Sequence, residues 1–325
     1  MVLGNVAGYK NGAAAHILRE SRKSIFIHCF SHRLSLAVSK HFKIISVSNM
    51  LETATKISYF FHNSEQRQRC LEKHIKAFRL QKYVSDNLDG DWISSSLDSK
   101  AHKLRDPSKT RWVERIKDLD LFIQLFEPLW FALEEMKINA KGEFNDATRK
   151  DAFSFFKSID CFDFILNLVL CYRVLELSLL VTQLLQTEMN DIAAGIHMIN
   201  SLIEHVWEIR QNVDDYHNEW YQFALRLANR FNIKASKPRT NKRQIFRDNH
   251  PAETVSDFYR VSLTLPLLDT LYQELNARFS ENSLLAYKGL YLLPNRVVKE
   301  QGKKPLSDLV QGFFSFYFDD MPHPL

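Results

Sequence analysis

One pair of metal-binding residue types stands near the start of the chain. Cys29 and His32 form a Cys-x-x-His pattern, which supplies two of the four ligands that a structural zinc ion usually needs. No further cysteine pair follows at zinc-finger spacing, so we expect no metal site at this pair. The plainer interpretation is that Cys29 packs as a small apolar residue at the end of a strand.

Arg111 and Trp112 form a second candidate pair. An indole ring can stack on a nucleic-acid base, which stabilises a complex by roughly 1–3 kcal/mol. The alternative is that Trp112 begins a helix and packs into the core, while Arg111 points to solvent. If the chain has no catalytic activity, core packing of Trp112 is favoured over base stacking.

The third candidate is a basic segment of 14 residues, with no acidic residue before Asp248. Such a segment can neutralise phosphates, and binding would then weaken as salt rises. It is also typical of a nuclear import signal, so we expect a nuclear protein, with the cytoplasm as the alternative. The remaining alternative is a solvated linker. The six basic residues are Lys234, Lys237, Arg239, Lys242, Arg243 and Arg247.

The composition sets limits on these possibilities. The 325 residues are 45% hydrophobic and 25% charged, as in ordinary globular proteins, and can bury a sizeable core. The net charge of +5 permits a nucleic-acid partner without requiring one. Four scattered cysteines favour a reducing compartment. The most apolar stretch, 162–185, contains charged residues, so it predicts a buried helix and no membrane partner.

The order of patterns predicts a short α/β region followed by helices. Residues 24–28 are apolar and β-branched, which indicates a strand, and a helical repeat follows at once. With only 9 Gly and 9 Pro, helix should dominate from about residue 45 onward. We expect a helix from 110 to about 136 that Pro128 kinks or splits. Long helices at 160–187 and 190–213 then suggest a helical bundle.

Several segments together resemble the hAT-superfamily transposases and the host proteins domesticated from them, of the zinc-finger MYM and protein-kinase-inhibitor-repressor type. The resemblance covers most of the chain, in the order of the family's blocks. Asn5, Cys29, His32, Arg111 and Trp112 belong to the first three blocks. The five segments are 4–17, 28–38, 109–119, 161–195, and 237–244 continuing through 251–280.

The resemblance implies an RNase H-like catalytic core that is interrupted by a large helical insertion. We therefore expect a mainly α protein, in which a helical insertion domain is attached to a partial RNase H-like α/β core. The expected parts are a core remnant at 1–45, the insertion at 46–233, a basic linker at 234–254 and a helical C-terminal part at 255–325.

The family's chemistry is metal-dependent DNA cleavage and strand transfer, for which three carboxylates hold two Mg²⁺ ions. In the block that contains Asn5, the matching acidic position is Met1. The other two acids would lie before and after the present sequence, so the chain is expected to be truncated at both ends. We therefore expect no catalytic residues, no cofactor and no enzyme activity, although His32 would lie near the ancestral DNA-handling face.

Three functional hypotheses follow from these expectations. The first is a catalytically inactive, transposase-derived protein that retains DNA or chromatin binding. The second is a helical scaffold that binds other proteins or associates with itself. The third is a fragment of a decayed transposable element with no function.

Overall fold

The computed structural model describes most of the chain, and 83% of the described residues are helical. The mainly helical class is therefore confirmed. In the described part no helix is long and apolar enough to cross a membrane. The described residues are 12–20, 29–39, 43–85, 103–105, 112–185, 192–238, 252–279 and 311.

The described residues form thirteen α-helices and one short π-helical segment. We number them α1 (Ala13–Glu20), α2 (Phe30–Ser39), α3 (Ile45–His62), α4 (Glu65–Ser85), α5 (Trp112–Gln124), α6 (Phe126–Ile138), α7 (Asp146–Ile159), α8 (Phe162–Glu176), α9 (Leu179–Leu184), α10 (Ile192–Gln211), α11 (Val213–Asn229), α12 (Val255–Tyr259) and α13 (Leu265–Arg278). A π-helical segment at Arg260–Thr264 joins α12 to α13. Residues 255–278 therefore form one continuous helix, which we call the rod.

Helix α8 lies at the centre of the bundle. Twelve of its 15 residues are buried, because α3, α5, α7, α9, α11 and α13 all pack against it. A helix that is apolar on all sides must be surrounded by protein or by lipid. The prediction of a buried helix in the apolar stretch is confirmed, although the helix ends at Glu176 and α9 begins after a turn.

The polar residues that interrupt α8 find partners within the bundle. The Tyr172 hydroxyl donates to Glu176 at 2.9 Å, and Arg173 lies 3.3 Å from the same carboxylate. The Asn167 amide donates to the Asp163 carbonyl at 2.8 Å. A buried polar group without a partner would cost about 1–3 kcal/mol, so these contacts within α8 lower the cost of its central position.

Pro128 splits the predicted 110–136 helix, as expected. Helix α5 ends at Gln124, Leu125 leaves the helical region with ψ 9°, and α6 begins at Phe126. Pro128 thus stands in the first turn of α6, where the missing N–H would have no partner within the helix in any case.

The N-terminal region is helical wherever it is described. Helices α1 and α2 are present, but the strand predicted at 24–28 lies outside the described residues. Since no strand occurs among the described residues, the partial RNase H-like α/β core has no support in the structure. Helix α2 instead packs against α13 and α9, and the Arg33 guanidinium lies over the Phe279 ring at 4.7 Å.

The aromatic packing beneath α6 provides a test of this core. Phe126 is fully buried, and its ring centroid lies 5.5 Å from that of Phe231 and 6.4 Å from that of Phe164. Phe126→Ala should lower the free energy of unfolding by about 3–5 kcal/mol, because it removes a buried ring and leaves a cavity.

Urea denaturation followed by circular dichroism measures this loss. Phe153→Ala is the matched control, because Phe153 is 55% exposed on α7 and should cost less than about 1 kcal/mol. Equal losses in the two variants would contradict the packing described for α6.

Candidate nucleic-acid interface

The basic segment begins at a sharp turn after α11. Asn232 adopts a left-handed conformation with φ 56°, and the Ile233 N–H bonds back to the Ala228 carbonyl at 3.1 Å. Asparagine is one of the few residues with a side chain that tolerates this conformation. Ile233 then turns into the core with 8% exposure, so the chain leaves the helix at a fixed point.

Lys237 brings the two sides of the basic segment together. Its ammonium donates to the Ala252 carbonyl at 2.8 Å and lies 6.0 Å from the centre of the Phe258 ring. The chain that departs after Pro238 therefore returns beside its starting point. Lys234 and Lys237 are both exposed. The other four predicted contacts lie outside the described residues: Arg239, Lys242, Arg243 and Arg247.

Tyr259 provides a second, buried attachment for the start of the segment. Its hydroxyl lies 3.0 Å from Asp163 Oδ1 and 3.1 Å from the Ser236 carbonyl oxygen, and donates its proton to one of them. Burial raises the pKa of Tyr259, and the nearby Asp163 charge adds to this effect, so the phenol keeps its proton. Burial also raises the pKa of Asp163, against the effect of the hydrogen bond from Tyr259.

Thr254 defines where the chain re-enters regular structure after the segment. Its hydroxyl oxygen accepts a hydrogen bond from the Asp257 N–H at 3.0 Å, which caps the first turn of α12. The same hydroxyl donates to the Asp257 carboxylate at 2.8 Å, and this bond lowers the pKa of Asp257. Arg260 then links Asp257 to Asp214 of α11, at 3.6 Å and 3.0 Å.

His217 joins α11 to the rod that follows the basic segment. Its Nδ1 lies 2.8 Å from the Thr264 hydroxyl, and its Nε2 lies 3.1 Å from the Ser256 carbonyl oxygen. These distances fit a neutral imidazole that donates from Nε2 and accepts at Nδ1. Thr264 is the last residue of the π-helical segment, and its hydroxyl faces His217.

Burial determines the charge state of His217. The side chain is only 2% exposed, and burial lowers the pKa of the imidazole to about 4. The Ser256 carbonyl opposes this shift, Arg260 adds to it, and Asp257 and Asp214 act against it. The histidine is therefore neutral near pH 7 and holds the rod without a net charge.

The Cys29 and His32 pair does not behave as expected. Cys29 is exposed at the start of α2, so the interpretation that it packs as an apolar residue is wrong. Its sulfur accepts a hydrogen bond from the His32 backbone N–H at 3.4 Å, as a capping group would. Among the described residues no third metal-binding side chain joins the pair.

The remaining family positions are not tested. Asn5 and Arg111 lie outside the described residues. Trp112 is the first residue of α5, but its side chain also lies outside the described part. The base-stacking and core-packing interpretations of Trp112 therefore both stay open.

One cluster of chemically active side chains was not predicted from the sequence. Cys70, His74 and Glu135 place a thiol, an imidazole nitrogen and a carboxylate oxygen within 4.8 Å of one another. The i, i+4 spacing of Cys70 and His74 was a visible signal, since it puts both on one face of a helix. Glu135 lies 61 residues further along, so only the fold could reveal it.

The depressed pKa of His217 predicts a pH-dependent stability. An unfolded histidine takes up its proton near pH 6.5, whereas the folded one does so only near pH 4. The unfolded state therefore binds more protons in this window, and the free energy of unfolding should fall by about 3 kcal/mol as pH drops from 6.5 to 4.

His217→Gln should remove this part of the pH dependence, measured as the difference between wild-type and variant unfolding free energies at each pH. His197→Gln is the control, because His197 is exposed on α10. A difference between wild type and His217→Gln that stays constant from pH 7 to pH 4 would contradict a neutral, buried His217.

Comparisons with known proteins identify two distantly similar proteins. No family model matches the chain, and no solved structure matches it. The human 52 kDa repressor of the inhibitor of the protein kinase is 22% identical over 311 residues, which is 96% of this chain and 38% of that protein. The mouse protein of the same name is 22% identical over 312 residues, with 96% and 39% covered.

The similarity is weak in identity but extends over almost the whole chain. The chain spans about two fifths of the length of these relatives. Both carry the name of a repressor rather than of an enzyme. The chain is thus a distant relative of repressor proteins.

Proposed function

We propose that the chain is part of a regulatory protein derived from a hAT transposase, without catalytic activity, and that its basic segment, 234–247, binds DNA through the phosphates. The proposal combines the five resembling segments with the distant relationship to two repressors. The absence of activity is proposed because Met1 stands at the position where the resembling block has an acid.

The attachment of the basic segment is the observation that carries the DNA-binding part. The Lys237 ammonium donates a hydrogen bond to the Ala252 carbonyl at 2.8 Å, and the Tyr259 hydroxyl lies 3.1 Å from the Ser236 carbonyl oxygen. A loop that is closed at its base has already lost part of its conformational entropy, so less is lost when it binds a ligand. The sequence places six basic residues within 14 positions, and such a density of positive charge favours contact with the closely spaced phosphates of a duplex.

A second candidate function is protein binding by the helical surface. Trp207 of α10 is 46% exposed, and its ring lies 4.9 Å from that of Tyr272 on α13. Exposed aromatic side chains of this size often dominate protein interfaces. If the Trp207→Ala variant no longer binds a protein that co-purifies with the wild type, while its DNA binding is unchanged, this second function is favoured.

DNA binding should depend on salt and on the six basic residues. Wild-type protein should bind a random-sequence duplex, and the logarithm of its affinity should fall linearly with the logarithm of salt concentration. The slope should be about −0.9 for each phosphate that is neutralised. Changing all six basic residues of the segment to glutamine should lower the affinity at least tenfold at low salt and flatten this slope. Fluorescence anisotropy with labelled DNA measures both quantities.

A control of equal net charge separates the segment from general electrostatic attraction. It replaces six exposed basic residues elsewhere in the bundle with glutamine and should keep most of the affinity. An equal loss in both variants, or no binding by wild type at low salt, would contradict the proposed interface. The control residues are Lys56, Lys76, Lys117, Lys141, Lys150 and Lys157.

A further inference from the structure

A cluster of three possible metal ligands lies between α4 and α6, outside the candidate interface. Cys70 and His74 are one turn apart on α4, and Glu135 faces them from α6. The three ligand atoms all lie within 4.8 Å of one another. Cys70 is buried, whereas His74 and Glu135 are half-buried, so the cluster is closed to solvent on the cysteine side and open on the other.

The imidazole is already oriented towards the other two groups. His74 Nε2 lies 2.7 Å from Glu135 Oε2. The ring of Phe131 stacks on the imidazole, with centroids 6.3 Å apart and 14° between the planes. The stacking and the hydrogen bond hold the imidazole with Nε2 directed at Glu135, so Nε2 is the ring nitrogen that faces the cluster.

The ligand types select the metal. A thiolate, an imidazole and a carboxylate together suit Zn²⁺ far better than Mg²⁺ or Ca²⁺, which prefer oxygen alone. Bond lengths of about 2.0–2.3 Å in a tetrahedral zinc site place the ligand atoms about 3.3–3.8 Å apart. The observed spread requires only side-chain shifts of about 1 Å, so the backbone can stay where it is.

We propose that Cys70, His74 and Glu135 form a Zn²⁺-binding site with a fourth coordination position open to solvent. A cavity of about 280 Å³ adjoins Glu135, so water can reach the carboxylate side of the cluster and supply the fourth ligand. Three protein ligands and one water are the usual arrangement of an open zinc site. The other residues that line the cavity are Lys73, Ile138, Asn139, Ala140, Lys141, Glu143 and Phe144.

Three changes accompany metal binding. Lys73 now donates to both carboxylate oxygens of Glu135 and must release one of them to the ion. His74 must present a lone pair at Nε2, so its proton resides on Nδ1, and Cys70 releases its thiol proton to solvent. The Lys73 ammonium thus competes with the metal for Glu135, and its removal should tighten binding.

Cobalt substitution tests the site directly. The tag-free full chain is stripped with a chelator and titrated with Co²⁺, which reports on coordination through its absorption spectrum. We expect one equivalent to bind, with thiolate-to-cobalt charge-transfer absorption and the visible bands of a tetrahedral ion. Added Zn²⁺ should abolish these bands. A wild-type titration without the charge-transfer absorption would overturn the proposal and leave Lys73, His74 and Glu135 as an ion-pair network.

Matched cysteine variants assign the sulfur ligand. Cys70→Ser should lose the charge-transfer absorption, whereas Cys29→Ser should keep it, although Cys29 also has a histidine three residues away. The reverse result would place the metal at Cys29 and overturn the proposal. Circular dichroism verifies that each variant is folded.

Two further variants give independent readouts if Cys70→Ser does not fold. His74→Gln should weaken Zn²⁺ binding at least tenfold in a competition titration with a chromophoric chelator. Lys73→Met should strengthen it several-fold, because the competing ammonium is gone. Unchanged affinity in both variants would overturn the site, since neither His74 nor Glu135 would then hold the metal.

Discussion

The burial of α8, in which 12 of 15 residues are largely inaccessible to solvent, is the constraint on which the rest of the structure depends. A helix that is surrounded by six others requires internal partners for most of the polar groups it carries. Asp163, in its first turn, meets this requirement through the hydroxyl of Tyr259, which comes from α12, 96 residues later. The position of α12, and with it the return of the chain after the basic segment, therefore follows from burying α8.

The polar contacts around α12 combine stability with the placement of charge. Tyr259 touches both Asp163 and the Ser236 carbonyl, so one side chain joins the core to the start of the basic segment. His217 contacts Ser256 of α12 and Thr264 of the π-helical segment without carrying a charge. A charged group in this place would oppose folding because it would be desolvated. The start of the basic segment is thus held by a buried hydrogen-bonded network.

Local patterns predicted the helices but not the contacts between distant segments. Three signals predicted the helices: the scarcity of glycine and proline, the apolar stretch around α8 and the position of Pro128. Each depends on residues within one or two helical turns, and the helices they predicted are confirmed. The partners of His217 lie 39 and 47 residues away, and Glu135 lies 61 residues from His74, so only the fold brings them together. Cys29 was misjudged because its packing was inferred from a strand, and 24–28 lies outside the described residues.

Hydrogen exchange measured with and without duplex DNA tests the central claim most directly, namely that the basic segment is where this chain meets DNA. At saturating DNA and low salt, amide exchange should slow in peptides that cover 234–254 and stay unchanged in α6 and α7. Protection confined to other helices, or no change in 234–254 while DNA is bound, would contradict the account.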